Sequence, residues 1–142
     1  MREILFHGKC NEVGKYNGQW IEGFYGEDDG KPIIARSTDH GLIGYFCEPD
    51  SIGQYTGLTD KNGRKIFEGD IIHLEYSQVF FGGVYFGEYT AEVPYKEGCF
   101  ITDGINNGDE IETPLSGFNN DEVEIIGNIH DNPELLGGES DG

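Results

Sequence analysis

A mainly β fold with little helix is the class this sequence predicts, and three observations predict it. The chain has 23 glycines, 8 tyrosines and 9 phenylalanines among 142 residues, a composition suited to strands joined by tight turns. Asn-Gly pairs at 17–18 and 62–63 supply hairpin signals, because both residues accept the positive φ of a type I′ turn. Between such turns apolar and polar side chains alternate with a period of two, as in half-buried strands. The length suits one domain or two small lobes, and needs no disulfide to bury its apolar surface.

The first fifty residues read as a β-meander lobe. Arg2 to His7 is strand-like, and Asn17-Gly18 predicts a hairpin leading into a run in which Trp20, Glu22 and Phe24 share a face. GEDDGKP (26–32) is a second turn, PIIAR (32–36) a strand, STDHG its end, and GLIGYFCE (41–48) a third apolar run. Pro49-Asp50 closes the lobe.

The pattern changes at Ser51, and 51–136 read as a second subdomain. GLTDKNGRKIFEGD (57–70) is the most patterned stretch, with a hairpin turn at Asn62-Gly63 and a tight strand entrance at Gly69-Asp70. A Gly-Asp at a strand entrance suits a small SH3-like β-barrel, where the Asp side chain accepts backbone N–H groups of the preceding turn. Then Ile72, Leu74 and Tyr76 alternate with His73 and Glu75, and Tyr89, Ala91 and Val93 with Glu88, Thr90 and Glu92. SQVFFGG (77–83) between them predicts a flexible loop or sticky patch. GCFIT (98–102) is a short strand, and 103–121 lacks periodicity, which predicts a long loop. EVEIIGNIH (122–130) is a strand with Val123, Ile125 and Ile129 on one face. Asp131 or Asn132 followed by Pro133 starts a single short helical turn. The segment 77–121 is read as a variable insertion and 137–142 as a disordered tail.

Charge limits the function classes. There are 27 Asp and Glu against 9 Lys and Arg, a formal charge of −18, and 103–142 hold eleven carboxylates and no Lys or Arg. Nucleic acid is not an expected partner, since phosphate affinity rests on neutralising cations. Cys10, Cys47 and Cys99 offer neither a CxxC half-site nor a disulfide framework. The opening MREILFHGKC has no sustained apolar run and no stretch approaches a membrane span, so the expectation is a cytoplasmic protein with no membrane contact.

Motifs that would give 57–70 chemistry fail on spacing. An EF-hand with Gly63 as its glycine would start at Leu58 and end at Gly69, neither of which can ligate through a side chain. A Walker loop needs GxxxxGK, whereas Gly57 and Gly63 are six apart and Arg64 follows. The histidines 7, 40, 73 and 130 form no HxH, HxxH or HExxH pair. Asp39-His40 with Cys47 could be drawn as base and nucleophile, but adjacent strand residues point to opposite faces; a pair of Cys47 with a histidine brought in by the fold is the remaining nucleophile and base reading. A carboxylate pair of Glu68 or Asp60 with Asp70 would need a raised pKa. No catalytic, cofactor-binding or metal-binding residue is assigned, and no cofactor is expected.

FHGK (6–9), NGQWIEGFY (17–25), IGQYTGLTDKNGRKIFEGDII (52–72) and EIIGNIHDNPELL (124–136) resemble successive motifs of the YopX family of phage and prophage proteins. The motif residues are Gln54, Tyr55, Thr56, Gly57, Asp60, Asn62, Gly63, Glu68, Gly69, Asp70, Gly127 and Asn128. His7 departs from the family's usual Arg, and 77–121 shows no obvious match. The resemblance implies a β-barrel-like fold, the cytoplasm of a bacterial host, and no established catalytic activity or cofactor.

The expected function is therefore that of a phage accessory protein acting as a non-catalytic binding module. Its partner is expected to be a protein, basic in character, or a second copy of the chain. Lys61, Arg64, Lys65, Phe80 and Phe81 are the candidate interaction surface. The alternatives are an acidic DNA mimic that occupies a nucleic-acid site, and a metal-dependent enzyme working through the acidic loop. Nucleic-acid binding through Lys61, Arg64 and Lys65, with Tyr55 and Phe67 stacking, is the least favoured.

Overall fold

A computed structural model describes residues 4–106 and 109–136. The chain divides into two units, up to Gly57 and from Leu58 onward, and the strands are antiparallel throughout the described pairings.

In the first unit, β1 (Phe6–Lys9), β2 (Trp20–Asp28), β3 (Lys31–Thr38) and β4 (Gly41–Phe46) form a meander, and β5 (Gly53–Thr59) returns to pair with β1. Its core is Cys10, Ile21, Ile34, Tyr45 and Cys47, with Phe6, Tyr16 and Ile52 against it. The Arg36 guanidinium lies 5.5 Å and 5.1 Å from the Tyr16 and Tyr45 ring centroids, within cation–π range. Asp29 and Gly30 both have positive φ between the paired Asp28 and Lys31, the type I′ geometry that fits strand twist.

Asn17-Gly18 does not join adjacent strand ends. The Gln19 N–H donates to the Tyr16 carbonyl at 3.0 Å and closes a tight turn over Asn17-Gly18, but the strand register puts Lys9 opposite Trp20 and buried Ile21 opposite Gly8. A Cβ on Gly8 would lie 2.6 Å from Ile52 Cδ1 and 3.0 Å from Cys47 Cβ, so a larger residue there would force these side chains to shift. Asn17-Gly18 instead ends a longer connection, the Gly18 N–H donating to the Cys10 carbonyl at 2.8 Å. The Trp20, Glu22, Phe24 face is the outer one, opposite buried Ile21 and Gly23.

Within the second unit, β5 ends and turns back into β6 (Lys65–Phe67). The sheet that follows comprises β7 (Asp70–Phe80), β8 (Gly83–Glu92), β10 (Cys99–Asn106), β11 (Asp109–Pro114) and β12 (Val123–Asn128), in the order β11-β10-β8-β7-β12. The short β9 (Tyr95–Lys96) pairs with β10. Ile66, Ile72, Leu74, Tyr89, Ala91, Val93, Leu115, Val123 and Ile125 make the core. The described pairings leave β11 and β12 as edges, without closing a barrel.

Three expectations change here. SQVFFGG is no loop: β7 runs to Phe80, paired with Gly83 across a turn at Phe81-Gly82. Ser77, Val84 and Phe86 share one face at this end and are exposed, so burial does not mark the apolar positions of that face. The stretch 103–121 likewise contains the β10–β11 hairpin, with Asn106 opposite Asp109. The Asn-Gly pair at 107–108 is the signal that marks it. Two 3-10 turns, Leu115–Gly117 and Asn120–Glu122, complete the segment. Finally, Ile129 does not share the Val123 and Ile125 face, because a register shift between Ile125 and Gly127 precedes it and leaves it 39% exposed. A 3-10 turn covers Pro133–Leu136, and the tail expected at 137–142 lies outside the described residues.

Candidate functional site

The dense motif 57–70 builds a joint around two carboxylates. Asp60 is 1% exposed and directly follows β5, where the chain reverses through Lys61-Asn62-Gly63, with Gly63 at φ +79°. One Asp60 oxygen accepts the N–H groups of Asn62 at 2.9 Å and Arg64 at 3.0 Å, and the other accepts that of Ile125 at 3.0 Å. Burial pushes this carboxyl up, but the three N–H donors and the Arg64 charge outweigh it and hold the group below its ordinary value. The Lys61 N–H donates to the Val123 carbonyl at 2.9 Å, and its ammonium lies 3.4 Å from Glu124.

Asp70 opens β7 after Gly69, whose φ of +93° suits glycine. Its carboxylate accepts the Phe67 N–H at 2.8 Å. Here burial dominates, and the Phe67 bond and Arg64 only partly offset it, leaving the carboxyl raised to about 7. Asp70 stands opposite Asn128, and Ile71 opposite Gly127, so the motifs 52–72 and 124–136 meet across the β7–β12 ladder. The Asn128 amide oxygen then accepts the N–H groups of His130 and Asp131, turning the chain out of the strand. A Cβ on Gly127 would come 2.7 Å from Asn132 Oδ1 and 2.8 Å from Leu135 Cδ1, so a larger residue there would displace those side chains. Glu68 is half-buried between these two turns.

Gln54, Tyr55, Thr56 and Gly57 lie on β5, with Gln54 opposite Phe6 and the Tyr55 N–H donating to Leu5 at 2.7 Å. Gly57 has φ +89°. In the basic cluster, Lys61 faces Glu124, the Arg64 charge acts on Asp60 and Asp70, and Lys65 is half-buried. Phe67, expected as a stacking group, is 3% exposed and therefore belongs to the packed interior.

A different arrangement occupies the β7–β8 hairpin. β12 pairs with β7 only as far as Leu74, opposite Val123. Beyond that point an open cavity of about 730 Å³ lies between Glu75, Tyr76 and Ser77 of β7, Phe86 to Glu88 of β8, and Asn119, Asp121 and Glu122. Its floor is tight: a Cβ on Gly87 would lie 2.5 Å from the Tyr76 ring. Glu122 is committed to the Asn119 N–H at 2.8 Å, while Asp121 is exposed. On the outer face Glu75 is directly opposite Glu88, and His73 Nε2 is 3.8 Å from a Glu88 oxygen. At the tip Phe81 is 106%, Val84 54% and Phe86 83% exposed. Phe81 is the member of the expected surface with a fully exposed side chain; that of Phe80 lies outside the described residues.

Sequence reasoning placed Glu75 and Glu88 as outward residues of ordinary strands and assigned Phe86 to no face. The signal was present in the HLE order of 73–75, which puts an imidazole and a carboxylate on one strand face.

The remaining nucleophile reading meets unfavourable surroundings. Cys47 is 2% exposed and stands opposite Cys10. Burial first, then Cys10, pushes its thiol up to about 11, away from the thiolate that attack requires. His7 is lowered to about 4 by burial, its ring 4.5 Å from that of Trp20.

No helix of the described residues is long and apolar enough to cross a membrane. No curated protein matches the chain. Among solved structures, protein EF1440 from Enterococcus faecalis is similar at 24% identity, with 96% of this chain and 99% of that one covered and a TM-score of 0.49. The sequence model of the YopX protein family matches residues 6–137, and the chain belongs to that family.

Proposed function

We propose that the chain is a non-catalytic binding module, a phage or prophage accessory protein acting in the cytoplasm of a bacterial host, whose β7–β8 hairpin contacts a basic protein. One observation carries this reading: Phe81, Val84 and Phe86 are large, apolar and exposed on a single hairpin. Grouped exposed apolar side chains of this kind suit a contact surface more than a solvated one. Carboxylates choose the partner's chemistry. Glu75, Glu88 and Asp121 border the same hairpin, and the formal charge of −18 opposes pairing with a second copy while steering a basic protein toward it.

The test compares the wild-type chain with a Phe81→Ser/Phe86→Ser variant, both immobilised in bacterial host lysate at low salt. The expected result is a basic protein held by the wild type, released at about 500 mM salt and lost from the variant. Identical recovery on both chains, or recovery of no basic protein, overturns the reading. So does a wild-type dimer in sedimentation that the variant abolishes, since the hairpin then serves self-association. If the recovered partner is displaced by duplex DNA, its contact site is a nucleic-acid site and the module acts as a DNA mimic.

A further inference from the structure

We infer that His73, Glu75 and Glu88 bind one divalent transition-metal ion, of the zinc class, on the outer face of the β7–β8 hairpin. One ligand atom from each residue lies within 4.8 Å of the other two. Zinc-ligand bonds of about 2.1 Å bring neighbouring donors to roughly 3.4 Å in a tetrahedral set, so small side-chain rotations close the site. The backbone is already in place. Glu75 is fixed opposite Glu88, and His73 is two residues before Glu75 on the same face of β7.

Charge gives an independent reason. Carboxylates placed directly opposite one another across a strand pair repel, and neither Glu75 nor Glu88 is paired with a Lys or Arg among the described residues. The described partner of Glu88 is His73, at 3.8 Å. A bound cation would neutralise that opposition and accept the imidazole nitrogen at once. The nitrogen donor also selects the ion: an imidazole with two carboxylates suits zinc or a similar transition metal, whereas magnesium and calcium prefer all-oxygen shells. Three protein ligands would leave the remaining coordination open to water, because Glu75 and Glu88 are exposed and His73 half-buried. The site shares Glu75 and Glu88 with the proposed contact surface, but zinc binding is read on the chain without a partner, so its failure and that of the proposed function are distinguishable.

Calorimetric titration of zinc chloride into the intact chain, in a buffer that does not chelate the ion, tests it. One equivalent is expected. Its affinity should fall at least about tenfold in His73→Ala and in Glu88→Gln and stay unchanged in His130→Ala, which removes an exposed histidine elsewhere. Zinc should raise the thermal midpoint of the wild type and of His130→Ala, but not of the first two variants. Circular dichroism checks that each variant is folded; these outward side chains lie outside the core. The proposal is overturned if the wild type binds no zinc, if magnesium competes equally, or if binding survives both changes. Several weak equivalents that fall as much in His130→Ala would mark adventitious binding and overturn it as well.

Discussion

The Asp60–Asp70 joint and the β7–β8 hairpin both concentrate carboxylates in the second unit, and they use them in opposite ways. Asp60 and Asp70 are 1% and 6% exposed; Asp60 accepts three backbone N–H groups and Asp70 one, and the bonds from Ile125 and Phe67 are buried. Glu75 and Glu88 are exposed, oppose one another and satisfy no described backbone donor. Density of charge in sequence therefore does not distinguish a joint from an outward-facing patch. What distinguishes them is whether each carboxylate is committed to the chain's own amides or left facing outward.

The largest expected effect breaks the joint. Asp60→Ala leaves three N–H groups without their acceptor, two of them closing the turn and one on β12, and should destabilise the protein by about 3 kcal/mol or more in urea unfolding. A loss under about 1 kcal/mol would mean that water replaces the carboxylate, and the contrast with the hairpin would fail. In acid the same group should contribute: its folded-state pKa is depressed, so its stabilisation is present above the unfolded value and lost as pH falls through the folded one.

Asp70 sharpens the comparison with the opposite sign. Its carboxyl is raised to about 7 from 3.8, so the folded chain holds this proton more tightly than the unfolded chain. Its contribution is greatest at or below the unfolded value and declines as pH rises through the window up to about 7. Asp70→Asn keeps an oxygen for the Phe67 N–H and removes the charge. The variant should flatten that part of the pH profile and be more stable than the wild type at pH 8 by roughly 2 kcal/mol. An unchanged profile would show that Arg64 keeps Asp70 charged in the folded state.

The smallest effect lies on the hairpin. Glu75→Lys replaces a like-charge pair with an attractive one and should raise stability by about 0.5 kcal/mol, measured by chemical denaturation. Destabilisation above about 1 kcal/mol would place Glu75 among the structural carboxylates after all.

Local chemistry made much of this molecule legible in its sequence. The β class, the turn at Asn62-Gly63, and the alternation of Ile72 with His73 and of Tyr89 with Thr90 follow from side-chain period and from residues that accept positive φ. The YopX resemblance likewise rests on contiguous motifs. Tertiary structure alone decided the rest. The third donor to Asp60 comes from Ile125, 65 positions away, and Glu88 meets His73 and Glu75 only because the β7–β8 register sets them side by side. The hairpin face that carries Val84 and Phe86 shows no buried apolar period, because both side chains are exposed. A local window carries propensities and patterns. Partners and burial are set by which distant strand pairs in which register, and that depends on how the whole core packs.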